Sequence, residues 1–276
     1  MSTNVVALSR ETDAIEITGR TRVLGILAHP TEHVKAPPGI NRIARERRRD
    51  AVMVPMNIAP NDLPELVRSL RNLHSFDGAI VTVPHKQAIL ALCDVLTPHA
   101  KAVGAANILR REVDGRLVGG QLDGFGFVEG LRSQGTDIRG KSIYLVGAGG
   151  AASAIAFAMA EAGASRITLS NRSVEKVVDL RERLLAAYPD VDVALGTRDA
   201  SGHDIVINGT SLGMKPGDPL PLNVLTLTSG MTVAEVVMEP EITPLLEAAR
   251  NTGSTIHFGK HMLTCQLQLM ADFMGL

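Results

Sequence analysis

Short apolar runs alternate along this chain with longer stretches whose apolar residues recur at helical spacing. Val23 to Ala28, Ala51 to Met56 and Gly78 to Val83 read as strands, with helices expected near Gly39 to Arg49, from Asn61 to Leu73 and from about His85 to Leu92. Asn61 or Asp62 can cap the second of these helices, and Pro64 suits its first turn. A helix from about Gly124 to Gln134 leads through Gly135 and Gly140 to a strand at Ser142 to Val146, where the pattern restarts. Further strands are expected at Arg166 to Leu169, Val191 to Ala194, Asp204 to Asn208 and Thr232 to Val237, with helices near Ala151 to Ala162 and Val174 to Ala187. The last helix, about Met262 to Met274, carries Leu263, Leu267, Met270 and Phe273 at a spacing that suits packing back onto the first unit. The β-α-β order predicts an α/β protein with mostly parallel, helix-covered sheets in two domains, the second starting near Asp123.

Composition agrees with that architecture and removes several classes of function. A chain of 276 residues with 45% hydrophobic content can bury two cores. Its formal charge of −1, with 3% aromatic residues and no tryptophan, gives neither the basic footprint nor the stacking platform of a nucleic-acid binder. The local run Arg42, Arg45, Arg47, Arg48 and Arg49 reads as the solvated face and end of a helix. No apolar run reaches the roughly 18 residues of a membrane span. Met1 to Arg20 lacks the basic start and apolar stretch of a signal peptide, so the cytoplasm is the expected location and no membrane partner is expected. Cys93 and Cys265 lie far apart without metal-ligand spacing; they read as buried thiols, and no metal site is expected.

Candidate chemistry enters with Gly147-Ala148-Gly149-Gly150-Ala151-Ala152, a G-x-G-x-x-A pattern between a strand and a helix. Gly147 allows the tight turn, Gly149 lets the backbone approach a pyrophosphate, Ala152 permits close packing, and the helix N-terminus favours the anion. Gly150 and Ala151 open that helix. The next strand ends in Ser170-Asn171-Arg172-Ser173, with Lys176 one turn on, where an NAD site would carry Asp or Glu. Arginine there suits a 2′-phosphate, so NADP is the expected cofactor, with NAD left open by the nearby Glu175.

A second candidate is Val81-Thr82-Val83-Pro84-His85-Lys86, which ends an apolar strand in a proline turn. A lysine at the start of a helix opposes the backbone dipole, and Lys86 has no acid within four residues to offset it. Breaking a local rule in this way marks a candidate functional position, where burial and positive potential favour the neutral amine of a proton acceptor.

Taken in order, these landmarks resemble the shikimate dehydrogenase family, from about Ala28 to Gln266. Gly78 to Lys86 is similar to that family's substrate strand and lysine turn; Ala105-Ala106-Asn107 and Leu122-Asp123-Gly124 resemble its next two motifs. Asn171-Arg172-Ser173 and Asn208-Gly209-Thr210-Ser211-Leu212-Gly213-Met214 resemble its cofactor domain, and Pro240 to Leu246 with Gln266 its return to the substrate domain. The resemblance implies a substrate-binding domain at residues 1–122 plus 259–276 and a Rossmann domain at 123–258. It implies oxidation of a hydroxyl on a cyclohexene carboxylate to the ketone with NADP, and the reverse reduction in aromatic biosynthesis. Lys86 and Asp123 would handle the proton, Thr82, Asn107 and Gln266 would line the substrate, and Thr210 and Gly259 would lie at the cofactor.

Four positions depart from the family pattern. Val34 and Ala36 stand in the substrate loop where two serines usually hold the carboxylate, Ile80 replaces an asparagine, and Met238 a tyrosine. The expected partners are a shikimate-like hydroxy acid and the cofactor, with a homodimer left open. Two rival expectations keep the fold. One is an NAD-preferring quinate- or aminoshikimate-type dehydrogenase with an altered substrate. The other is a non-catalytic dinucleotide-binding regulator, for which neither Lys86 nor Asp123 would be needed.

Overall fold

The computed structural model describes residues 16–276. Its first half contains β1 (Arg22–Ala28), α1 (Ala36–Glu46), β2 (Ala51–Asn57), α2 (Leu63–Asn72), β3 (Phe76–Val81), β4 (Val95–Leu96), α3 (Pro98–Val103), β5 (Ile108–Arg111) and β6 (Leu117–Gly120). The second contains α4 (Asp123–Ser133), β7 (Ser142–Val146), α5 (Gly150–Glu161), β8 (Arg166–Ser170), α6 (Val174–Ala187), β9 (Asp192–Leu195), β10 (Ile205–Asn208), β11 (Thr232–Glu235), α7 (Pro244–Asn251), β12 (Thr255–His257) and α8 (Gly259–Met274).

The second sheet runs β12-β11-β10-β7-β8-β9, with every neighbour parallel. Read from β9, this is the doubly wound order whose strand sequence reverses between β7 and β10, and ligands bind in the crevice at such a switch point. Its central strands are nearly continuous apolar runs because helices cover both faces. On one side α5 is buried all round from Ala152 to Ala160, lying between the sheet and α4. α7 covers the other side, through Leu245, Leu246 and Ala249.

The first sheet has the order β2-β1-β3-β5-β6-β4. It is more mixed than expected, because β5 runs antiparallel to both β3 and β6, while β1, β2 and β3 are parallel and β4 pairs parallel with β6. The unforeseen β5–β6 hairpin turns at Asp114-Gly115, where Glu112 N donates to Arg116 O at 2.8 Å and Gly115 takes φ 88°. α1 and α8 pack on one face of this sheet and α2 on the other.

Two local expectations change. The helix expected from His85 is a turn, with His85 N bonded to Thr82 O at 2.8 Å, followed by a 3₁₀ segment at Ala88–Leu92. Lys86 therefore precedes a short 3₁₀ turn and does not oppose an α-helix dipole. The basic run is also not wholly solvated: α1 ends at Glu46, and Arg47 bonds Asp272 at 2.7 Å and Leu276 O at 2.9 Å, tying α1 to the end of α8. Cys93 and Cys265 are half-buried.

The two halves meet through α4, and glycines set how closely. A Cβ on Gly124 would collide with the Ala154 carbonyl of α5 and sit 2.7 Å from Ala158 Cβ; one on Gly126 would sit 2.7 Å from Gln266 Cβ of α8. Asp123, the first residue of α4, is thereby wedged between α5 and α8.

Candidate active site

Asp123 is 3% exposed, and its carboxylate is held from three separate segments. Lys86 Nζ donates to Oδ2 at 2.5 Å, while Asn107 Nδ2 and Gln266 Nε2 donate to Oδ1 at 2.8 and 2.7 Å. Asp123 N donates to Gln121 Oε1 at 2.8 Å, and Leu122 N to Asn107 Oδ1 at 2.8 Å, which orients both amides. A carboxylate at the first position of a helix also gains from the dipole. Asn107 and Gln266, expected to line substrate, thus also fix Asp123. Gln121 was not foreseen; its only sequence signal is its place two residues before the acid.

A cavity of about 450 Å³ opens beside this pair, with Lys86, Asp123, Asn107, Gln266 and Thr82 in its wall. It lies at the carboxyl ends of β1 and β3, with Val34 and Ala36 at the start of α1 forming another side. Gly259 lines this cavity, packed against the Val237 carbonyl. Lys35, adjacent to Val34, reaches across the cleft and bonds Glu239 Oε1 at 2.8 Å.

The glycine loop adjoins the cavity through Ala151, which also borders a cleft of about 530 Å³ lined by Gly147, Gly149, Gly150, Asn171 and Thr210. Gly147 takes φ 119°, a conformation glycine adopts without penalty, and Gly149 stands before α5 with open space where a Cβ would be. No side chain caps α5 and no acid occupies its first turn. Its free N–H groups and dipole thus fit a dinucleotide pyrophosphate. Lys176 lines a further cleft of about 640 Å³ with Lys86 and Gly149, and Arg183, unforeseen, reaches that cleft from α6 while bonding Val103 O at 2.7 Å. Arg172 is exposed and Ser173 half-buried just before α6, and Asn171 Nδ2 bonds Ser173 O at 3.1 Å.

Behind the loop Asn208 to Met214 lies a second buried acid. Glu235, at the end of β11, is fully buried; its Oε1 accepts from Thr243 Oγ1 at 2.8 Å and Asn208 Nδ2 at 3.3 Å, and Oε2 has no hydrogen-bond partner. Burial pushes its pKa up to about 7 against those two hydrogen bonds. Asn208 in turn accepts from Thr210 N and Oγ1, at 3.1 and 2.6 Å, which sets the loop wall of the cleft. The sequence signal was an acid inside an apolar strand. No cluster of three or more metal-ligating side chains occurs among the described residues, and no helix there is long and apolar enough to cross a membrane.

Two family models match this chain: the shikimate dehydrogenase substrate binding domain over residues 26–109 and shikimate / quinate 5-dehydrogenase over residues 130–213. The chain belongs to the shikimate dehydrogenase family. It is 38% identical to the shikimate dehydrogenase (NADP(+)) of Rubrobacter xylanophilus, over 91% of this chain and 89% of that one. Among solved structures, a shikimate dehydrogenase in complex with NADP+ superposes with a TM-score of 0.87 at 29% identity, covering 94% of this chain and 92% of the other. The ligand-free 5-ketofructose reductase of Gluconobacter sp. strain CHM43 superposes with a TM-score of 0.84 at 28% identity, covering 94% of each chain. In this family frame the two sheets are the substrate-side and Rossmann sheets, and α4 and α8 join them.

Proposed function

We propose that this protein is an NADP-linked oxidoreductase that interconverts a secondary hydroxyl of a shikimate-like polyhydroxylated ring compound with its ketone. The reference reaction is 3-dehydroshikimate + NADPH = shikimate + NADP. Residues 1–122 and 259–276 hold the substrate, and residues 123–258 hold the cofactor. One observation carries the reading: the Lys86 amine is hydrogen-bonded to the buried Asp123 carboxylate in the wall of a cavity that opens onto the glycine loop.

Oxidising an alcohol removes a hydride from carbon and a proton from oxygen. NADP bound at the glycine loop supplies the hydride acceptor, and NADPH the donor in reverse. Lys86 takes the hydroxyl proton at Nζ, and Asp123 stabilises the resulting ammonium through Oδ2. Asn107 and Gln266 keep that carboxylate aimed at Lys86, so the relay needs no rearrangement during reaction. Thr82 lines the cavity with a hydroxyl that makes no hydrogen bond within the described residues, leaving it available to a substrate hydroxyl. Arg172 and Lys176 supply cations for the 2′-phosphate. A purely binding role would need neither Lys86 nor Asp123.

Lys86→Ala tests the reading. Losing general acid/base catalysis should lower kcat by roughly 10² to 10⁴-fold with cofactor affinity unchanged, and Asp123→Asn should also be strongly damaging. Near-normal turnover by Lys86→Ala on its best substrate would remove it from the mechanism.

A further inference from the structure

One wall of the substrate cavity is the segment from His33 to Ala36 that opens α1. An anionic group facing such a wall needs hydroxyls, free backbone N–H groups or an uncommitted cation. Val34 and Ala36 carry no hydroxyl. The Val34 N–H already donates to Thr31 O at 3.1 Å, and Pro37 and Pro38 remove two N–H groups from the first turn of α1. Lys35 is bound to Glu239, and Lys260 to Glu241. His29 is bound to Asn57 at 2.9 Å, and exposed His33 lies close enough to Glu239 to help hold that carboxyl below its ordinary range. Ile80, Met238, Leu263 and Met270 contribute apolar surface. Among the described residues this wall thus brings a carboxylate of its own, its lysine is paired, and what it leaves unpaired is the exposed His33 ring and the N–H groups of Lys35 and Ala36.

We infer that the preferred substrate is uncharged: a hydroxyketone or polyol whose reacting hydroxyl meets Lys86 and Asp123 and which carries no carboxylate against the Val34–Ala36 wall. This rests on the function proposed above and narrows its substrate class; hydride and proton transfer are unchanged. Substrate hydroxyls find Thr82 and the Lys86–Asp123 pair, while an uncharged end meets apolar side chains without losing strong hydration.

Shikimate and its methyl ester form a matched pair that differs only in the charge of the carboxyl group. With NADP and the full-length protein, the ester should be oxidised with kcat/KM at least tenfold above that of shikimate. Glu239→Gln, a change at an exposed side chain, frees Lys35 and should raise kcat/KM for shikimate severalfold relative to the ester. Val34→Ser with Ala36→Ser should narrow the preference for the ester by tenfold or more. Shikimate turned over as well as the ester by the unmodified protein would overturn the inference and leave the proposed function intact. An ester preference that neither set of substitutions narrows would also overturn it, because this wall would then not be the determinant. Failure of both compounds, and of a panel of uncharged hydroxyketones with NADPH, would overturn the proposed function and the inference with it.

Discussion

Glu235→Gln is the most quantitative perturbation the structure offers. The substitution keeps the shape and the acceptor that Thr243 and Asn208 use, and removes the ability to ionise. In the folded protein burial raises the Glu235 pKa to about 7 from its ordinary 4.5. Below pH 4.5 the group is protonated in both folded and unfolded chains and has no effect on stability. Between these values the unfolded chain has lost the proton and the folded chain retains it, so stability falls as pH rises. Above 7 both are ionised and the penalty is complete. At about 1.4 kcal/mol per pH unit, a span of 2.5 units (7 − 4.5) is an order-of-magnitude cost of about 3 kcal/mol. Glutamine lacks this slope but places an amide where Oε2 has no partner, a penalty of about 1–3 kcal/mol at every pH. The offset is constant and the slope is not. Urea unfolding of both proteins from pH 4.5 to 8 at fixed ionic strength should therefore show the variant gaining about 3 kcal/mol on the wild type across the series. Parallel stability curves would refute the assignment of Glu235 as a buried acid titrating near neutrality. Because Glu235 supports Asn208 and Thr210, wild-type KM for NADP should also drift above pH 7 and that of the variant should stay flat.

Three further outcomes are expected. Arg172→Ala should weaken NADP by about 1.5 to 3 kcal/mol more than NAD, in titrations with both cofactors, since only the 2′-phosphate calls for a charged hydrogen bond there; equal losses would exclude Arg172 from phosphate recognition. Gln266→Leu removes one of the two amide donors to Asp123 Oδ1 and should lower kcat about tenfold or more without changing NADP affinity, read from steady-state kinetics and cofactor titration. Gly124→Ala forces a methyl group against the Ala154 carbonyl and should cost about 1 to 3 kcal/mol of stability in denaturant unfolding, as overpacking does.

The Rossmann half was legible because each of its signals is local. A glycine loop between a strand and a helix needs only neighbouring residues to be recognised, and β7, α5, β8 and α6 all fall within a residue or two of expectation. The substrate half was less legible where its structure depends on pairing between distant segments. β5 and β6 are each four residues long, too short for a clear alternating pattern, and are fixed by pairing with β3 and with each other. Lys86 stood out as a local anomaly and Asp123 only through the family resemblance, but the bond between them spans 37 residues and the Gln266 bond to Asp123 spans 143. No local periodicity encodes such contacts. The Lys35–Glu239 bond, across 204 residues, was likewise hidden.

The placement of these long-range bonds separates two parts of the chemistry. Lys86, Asn107 and Gln266, the donors to the Asp123 carboxylate, all lie in the segments assigned to the substrate side, so the proton relay is assembled without any residue of the glycine loop. Asp123 itself opens α4, which packs on α5 of the Rossmann half at Gly124, and Lys86 lies beside Gly150 of the glycine loop. Across the open cleft, by contrast, Lys35 and Glu239 meet through exposed side chains, and an exposed pair is worth only about 0–1 kcal/mol. Loss of the Lys35–Glu239 pair would therefore leave the hydrogen bonds of the relay intact. Substitutions within the relay should act on kcat and, at Asn107 and Gln266, which also line the cavity, on substrate KM, whereas substitutions at the cleft rim should act on substrate discrimination.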